Sequence, residues 1–253
     1  MFEVYRDMLS ICSRLYQKEY VAATDGNVSA RLGKNRILCT PTGMNKGDIR
    51  QGDLVTVNEH GAKLEGQRNP STEMPMHLAI YGDRPEINAV VHAHPPYATG
   101  FASAGEGLTG CVLPELVVSL GAVPLAPYAT PSTHEVPDNI REFIRTHDVV
   151  LLENHGVVAA GKDLWQAYYN LEKVEHAARI IFISRLLGGE RRLDSQQVSR
   201  LRGIAEQSYG IDAGKKPSCE PANLRSFNAS PPSSHDEVQL RDAISQAIKE
   251  LGF

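Results

Sequence analysis

The chain has no CxxC pair, no Lys/Arg cluster and no apolar run near the roughly 20 residues needed to span a bilayer. Each absence removes a class of protein. The four cysteines, Cys12, Cys39, Cys111 and Cys219, are widely spaced, so they are expected as small core or incidental residues of a reduced, cytoplasmic protein. A net charge of −4 and a pI near 6.1 leave no basic face for nucleic acid. The opening MFEVYRDMLS begins an amphipathic pattern and has neither the basic nor the apolar region of a signal peptide.

What is present is an ordinary globular composition, 42% hydrophobic and 22% charged over 253 residues, enough for one substantial core with ornaments. The most informative stretch is Asn88 to Pro96, NAVVHAHPP. Ala89, Val90 and Val91 form a short β-prone run, so His92 and His94 are expected near a strand end. Side chains two apart on a strand share a face, which lets both imidazoles reach one point. Pro95 and Pro96 stop the strand. Two neutral imidazoles suit a borderline-soft divalent ion that needs one or two further ligands.

Taken in order, Phe2, Tyr5, Leu9, Cys12 and Tyr16 are at helical spacing. Thr24-Asp25-Gly26-Asn27 reads as a turn into the strand beginning at Val28. A strand over 36–39 leads to the tight turn Thr40-Pro41-Thr42-Gly43, and another strand covers 54–57. Ser71 and Thr72 precede the apolar-periodic Met74, His77, Leu78, Ile80 and Tyr81, a helix-start signal with Pro75 tolerated in the first turn. The free N–H groups of such a terminus, with two adjacent hydroxyls, make a phosphate cradle. Glu73, in that turn, reads either as dipole compensation or as a ligand that meets the histidines in space.

Helices follow over 97–103 and from Ser132 or Thr133 through Ile144, whereas 112–120 is consistent with strand or helix. A continuous apolar strand over 148–152 ends in Glu153-Asn154-His155-Gly156, placing a third histidine at a strand end, and 157–160 is a second strand. The longest helix runs over 162–187 and stops at Gly188-Gly189, with another over 194–207. An acid at a helix start, a His-x-His strand and a distant histidine make a reasonable zinc site. Buried histidines bonded to backbone, or a purely structural metal, account for the same residues.

GNVS (Gly26 to Ser29), PTG (Pro41 to Gly43), STE (Ser71 to Glu73), AVVHAH (Ala89 to His94), APYAT (Ala126 to Thr130) and NHG (Asn154 to Gly156) together resemble the class II aldolase and adducin family. Among its members the chain is most similar to the L-fuculose-1-phosphate aldolases. The resemblance implies a three-layer α/β/α sandwich with a central, mostly antiparallel sheet, assembled as a homotetramer with active sites at subunit interfaces. It implies one Zn²⁺ per subunit held by Glu73, His92, His94 and His155. The substrate's phosphate would lie among Asn27, Thr42, Gly43, Ser71 and Thr72.

The reaction so implied is cleavage of a deoxyketose 1-phosphate, foremost L-fuculose 1-phosphate, to dihydroxyacetone phosphate and an aldehyde such as L-lactaldehyde. Epimerases of this family carry Asp where Glu73 stands, so Glu73 favours an aldolase. The tyrosine that protonates the aldehyde-side oxygen in the fuculose-phosphate enzymes has no equivalent at Leu113-Pro114-Glu115, where Glu115, or Tyr209 from further along the chain, would have to substitute. Aldolases for rhamnulose or 5-deoxy-pentulose 1-phosphates, a sugar-phosphate epimerase, a decarboxylase and a metal-free adducin-like interaction module are the alternatives.

The catalytic domain is expected over 1–209, a Pro/Ser-rich linker over 210–235, and an amphipathic helix of about five turns over 236–253. An isolated amphipathic helix cannot bury its stripe alone. It either docks on its own tetramer or, since it resembles an encapsulation peptide, targets the shell of a bacterial microcompartment.

Overall fold

The computed structural model describes residues 2–212 and 216–222. The helix expected over 236–253, and most of the linker before it, lie outside the described residues. Helices α1 (Phe2–Gln17), α2 (Met74–Asp83), α3 (Pro96–Ser103), α4 (Pro114–Ser119), α5 (Glu135–Ile144), α6 (Leu164–Leu186) and α7 (Ser195–Tyr209) surround eight strands. These are β1 (Asn27–Gly33), β2 (Arg36–Cys39), β3 (Val55–Val57), β4 (Lys63–Glu65), β5 (Ala89–Ala93), β6 (Leu125–Ala126), β7 (Val149–Leu152) and β8 (Gly156–Gly161). The sheet order is β4-β3-β2-β1-β5-β8-β7-β6. Every pairing is antiparallel except β6 with β7.

Two cores lie on opposite faces, as alternation along a pleated strand requires. Val91, Ala93, Leu151, Val157 and Ala159 join α1, α3 and α6 through Leu15, Phe101, Tyr168 and Leu171. Val90, Val150, Leu152, Val158 and Ala160 point the other way, onto α2 and α5 through Met76, Ile80, Val136 and Ile140. The result is an α/β/α sandwich. Strand β5, buried along its whole length, lies between β1 and β8 with all of its neighbours antiparallel.

The undecided stretch 112–120 contains helix α4, started by Pro114 at a position where a missing N–H costs nothing. Short β4, fully exposed, carries no apolar alternation and was not legible in the sequence. Cys12 and Cys39 are buried free thiols, and burial pushes both up to about 12. Cys111 and Cys219, by contrast, form a disulfide, which corrects the expectation of four unpaired cysteines. Its cause is tertiary: Glu220 accepts the Cys111 N–H and donates its own N–H to Thr109, so a segment read as linker lies against the 109–111 stretch. Lys216 pairs with Asp148, which Arg84 also binds. No helix among the described residues is long and apolar enough to cross a membrane.

Candidate metal centre

Three strand ends and one helix start converge on a single point. His92 is the fourth residue of β5 and is fully buried, opposite Asn27 of β1 and Val158 of β8. His94 follows one residue past the strand on the same face. His155 sits in the turn between β7 and β8, where Asn154 takes a left-handed backbone (φ 54°) and the His155 N–H donates to Leu152 O. Ring centroids are 5.0 Å apart for His92 and His94, 4.7 Å for His92 and His155, and 5.1 Å for His94 and His155. One ligating nitrogen from each lies within 4.8 Å of the others.

Two glycines make this approach possible. A Cβ on Gly156 would come within 2.5 Å of His94 Cδ2. On Gly26, at φ +73°, it would lie 2.9 Å from the His92 carbonyl.

Glu73 enters from the N-cap position of α2, its carboxylate 3.2 Å from His155 Nε2 and 3.5 Å from His92 Nε2. Neither Ser71 nor Thr72 caps that helix by its side chain. Instead Ser71 Oγ accepts the Glu73 N–H and so turns the acid inward. Burial pushes the Glu73 carboxyl up, but the surrounding imidazoles and a hydrogen bond from Asn27 outweigh it and hold the group well below the usual carboxylate range. Burial pushes His92 down to about 3 and lowers His94 as well.

This donor set fits a divalent cation. The His92 Nδ1 donates to Val157 O at 2.9 Å, leaving the Nε2 lone pair aimed inward, where it meets His94 Nε2 at 3.1 Å. With His92 Nδ1 donating to Val157 O and His94 Nδ1 facing the Asp25 carboxylate, neither Nε2 is left to donate across this contact, and an ion between the two lone pairs resolves it. Glu73 Oε1 is buried without a hydrogen bond, which is costly for an ionised oxygen unless it is a ligand.

Behind Glu73 runs a chain of hydrogen bonds that sequence reading missed. Asn27 Nδ2 donates to Glu73 Oε2 at 2.7 Å, and Asn27 Oδ1 accepts from His77 Nε2 at 2.6 Å. Burial pushes His77 down to about 4, so the ring is neutral and its Nδ1 accepts from Ser29 Oγ at 2.7 Å. Ser29 in turn bonds Tyr81 at 2.8 Å. The available signal was spacing: residues 73, 77 and 81 succeed one another at i, i+4 on one helix face. Asp25, read only as a turn residue, reaches His94 Nδ1 at 3.6 Å.

The remaining expected site residues divide. Asn27 has its carbonyl oxygen and one N–H engaged with His77 and Glu73. Thr42 and Gly43 are exposed in the turn after β2, Gly43 at φ +68°. The 40–42 stretch runs beside 69–71 through paired backbone bonds, so these two turns are neighbours. Ser71 is buried, while Thr72 is exposed and bonds Ser132 through its hydroxyl. Glu115 is exposed on α4 and its electrostatic neighbour is Lys173 on α6, with no contact to the imidazoles. The Tyr209 side chain lies outside the described residues.

The model of the Class II Aldolase and Adducin N-terminal domain matches residues 6–182. The chain belongs to the class II aldolase/adducin family. An L-fuculose phosphate aldolase of Methanococcus maripaludis is 36% identical over 177 residues, covering 70% of this chain and 95% of the relative. A 3-oxo-tetronate 4-phosphate decarboxylase of Escherichia coli is 34% identical over 203 residues, covering 78% and 93%. Among solved structures, an L-fuculose 1-phosphate aldolase superposes with TM-score 0.74 at 30% identity, over 80% of this chain and 96% of that one. A putative aldolase/epimerase/decarboxylase from Escherichia coli gives 0.73 at 32% identity, over 79% and 98%. The homologues are class II aldolase-type lyases, and the family likeness makes this chain an enzyme of that kind.

The buried neutral histidines make stability depend on pH. The unfolded chain protonates its imidazoles below about 6.5, the folded protein not until about 4 at His77. Stability is therefore complete above pH 6.5 and declines as pH falls toward 4. For fully buried His77 the loss is on the order of 3 kcal/mol. Urea unfolding of metal-free protein at pH 7 and pH 4.5 should show it, and a flat profile would contradict the neutral, buried assignment.

Proposed function

We propose that the chain is a zinc-dependent aldolase that cleaves a ketose 1-phosphate, with L-fuculose 1-phosphate the leading substrate, to dihydroxyacetone phosphate and L-lactaldehyde. The observation that carries this reading is the buried Glu73 carboxylate at the start of α2, whose Oε1 has no hydrogen bond and lies 3.2 Å from His155 Nε2 while Oε2 lies 3.5 Å from His92 Nε2. Its helix N-terminus adjoins the 42–43 turn, so a phosphoryl group and a carbonyl can be gripped together.

A divalent ion held by His92, His94, His155 and Glu73 would supply Lewis acidity, stabilising the negative charge that builds on the substrate carbonyl oxygen. The phosphate would be received by Thr42, Gly43, Ser71 and Thr72, with the remaining Asn27 N–H at their edge. In the cleavage direction the C4 hydroxyl gives its proton to solvent water, the C3–C4 bond breaks, and its electron pair passes toward C2. The product forms when C3 takes up a proton. Glu73, ionised and aimed by Asn27, is the group to take a proton from solvent and pass it to C3. The relay through His77, Ser29 and Tyr81 keeps the carboxylate in one orientation while it does so.

A second reading, decarboxylation of a 3-oxo acid phosphate, is favoured by one specific observation. Glu115, the candidate for the missing aldehyde-side proton donor, is exposed on α4, where its charge acts on Lys173 of α6. Carbon dioxide leaves without needing a proton, so a decarboxylase has no use for that donor.

Supplying dihydroxyacetone phosphate with a panel of aldehydes should yield a condensed sugar phosphate with L-lactaldehyde preferred, and chelation should abolish it. Carbon dioxide release from a 3-oxo-tetronate phosphate with no condensation would establish the second reading. His92→Ala is expected to lose bound zinc and turnover together, by metal analysis and rate. For Glu73→Gln, kcat should fall by at least about a hundredfold, the usual worth of a positioned acid–base, with little change in affinity for inorganic phosphate. An equal loss in both would show that Glu73 only supports the fold.

We further propose a homotetramer, supported by the apolar end of α6, where Phe182, Leu186 and Leu187 are 44%, 66% and 83% exposed. Residues 236–253 are proposed to serve association with a microcompartment shell. The family match ends at residue 182, before this segment. Deleting 236–253 should leave the four-subunit mass and kcat intact and abolish co-sedimentation with shell protein. Loss of the tetramer would overturn the proposed role of the tail.

A further inference from the structure

Lys46 is a cation buried to 2% exposure, outside the metal centre. Its Nζ donates to the carbonyl oxygens of Thr24 at 2.7 Å and Met44 at 2.8 Å. Among the described residues no carboxylate lies in ion-pair contact with it. Burial pushes its pKa below the usual lysine value, and the acidic groups that oppose this, Cys12, Asp25 and Glu73, act at longer range. Burying an ammonium is expensive unless it is both hydrogen-bonded and opposed by negative charge. Here the hydrogen bonds are present and the close anion is not.

The position of those two carbonyls gives the arrangement its meaning. Thr24 opens the turn that ends in Asn27, and Met44 closes the turn that contains Thr42 and Gly43. One ammonium therefore ties together the two turns that, with Ser71 and Thr72, are assigned above to the phosphoryl group. Its side chain is fixed from both sides, so its charge lies at a constant place behind that group.

We propose that Lys46 is a positioning residue for anion binding, a buried cationic latch that sets the spacing of the 24–27 and 42–44 turns and supplies the positive potential that a phosphate dianion completes. This inference rests on the phosphate assignment made under the proposed function. Lys46 acts through the backbone and through its field, and it is not itself one of the metal ligands.

The test uses the full-length, metal-loaded protein and inorganic phosphate as the probe, followed by the sugar phosphate. Lys46→Met, which keeps the length of the side chain and removes its charge and donors, should weaken phosphate binding and raise KM by about tenfold or more, equivalent to about 1.4 kcal/mol. Bound metal and kcat should remain as in the wild type, and Lys46→Arg should restore most of the affinity. If Lys46→Met does not fold, Lys46→Gln is judged on the same readouts. Unchanged phosphate affinity with a lowered Tm would overturn the inference, leaving Lys46 a structural clamp. A Thr42→Val, Ser71→Ala double variant separates the two layers. If it binds phosphate as tightly as the wild type, the phosphate assignment falls and the latch with it. If it binds weakly while Lys46→Met does not, the latch alone is overturned.

Discussion

The approach of one ionised carboxylate to three neutral imidazoles is the constraint on which this molecule depends. Glu73 alone would be a costly buried anion, and His92, His94 and His155 alone would be three lone pairs crowded within a few ångströms of one another. Each half makes the other tolerable only when a cation joins them, because the interior offers neither half enough water. The hydrogen bonds from Asn27 through His77 and Ser29 to Tyr81 then fix the carboxylate without neutralising it. A hydrogen-bonded chain of this kind holds the carboxylate in one orientation, as the role proposed for Glu73 requires.

The sheet supplies the geometry. Placing β5 between β1 and β8, all antiparallel, sets Asn27 and Val158 on either side of His92. It also brings the β7–β8 turn, with His155, to the end of β5 from which His94 emerges. The helix that starts at Glu73 packs on the opposite face from α1, α3 and α6, so its first turn reaches the sheet edge from the other core. The candidate metal centre is thus a seam where two cores meet, which is why residues 73, 92, 94 and 155 converge there. The same seam adjoins the 42–43 and 71–72 turns, held side by side by backbone bonds, and Lys46 closes it from behind.

The likeness to both aldolases and a decarboxylase follows from this economy. Both reactions leave electrons beside a carbonyl, and under the proposed function both would be served by the same cation, the same ionised carboxylate and the same phosphate grip. What would distinguish them is whether a hydroxyl on the departing fragment must give up a proton, which an aldol cleavage requires and a decarboxylation does not.

Local signals made much of this legible. The alternation in Ala89-Val90-Val91-His92-Ala93-His94 assigned two ligands to one face, the apolar run ending at His155 suggested a third, and Pro75 marked the start of α2. These readings depend only on the periodicities of strand and helix. The chain could not by itself say that His77, four residues after Glu73, holds Asn27, or that Asp25 turns toward His94. Nor could it show that Lys46 is buried, or that Cys219 returns to Cys111 through a segment whose composition reads as linker. Those pairings join residues tens of positions apart in an order no local period encodes. They exist because antiparallel pairing and the packing of two helical layers bring particular side chains together, and only the folded molecule fixes which ones.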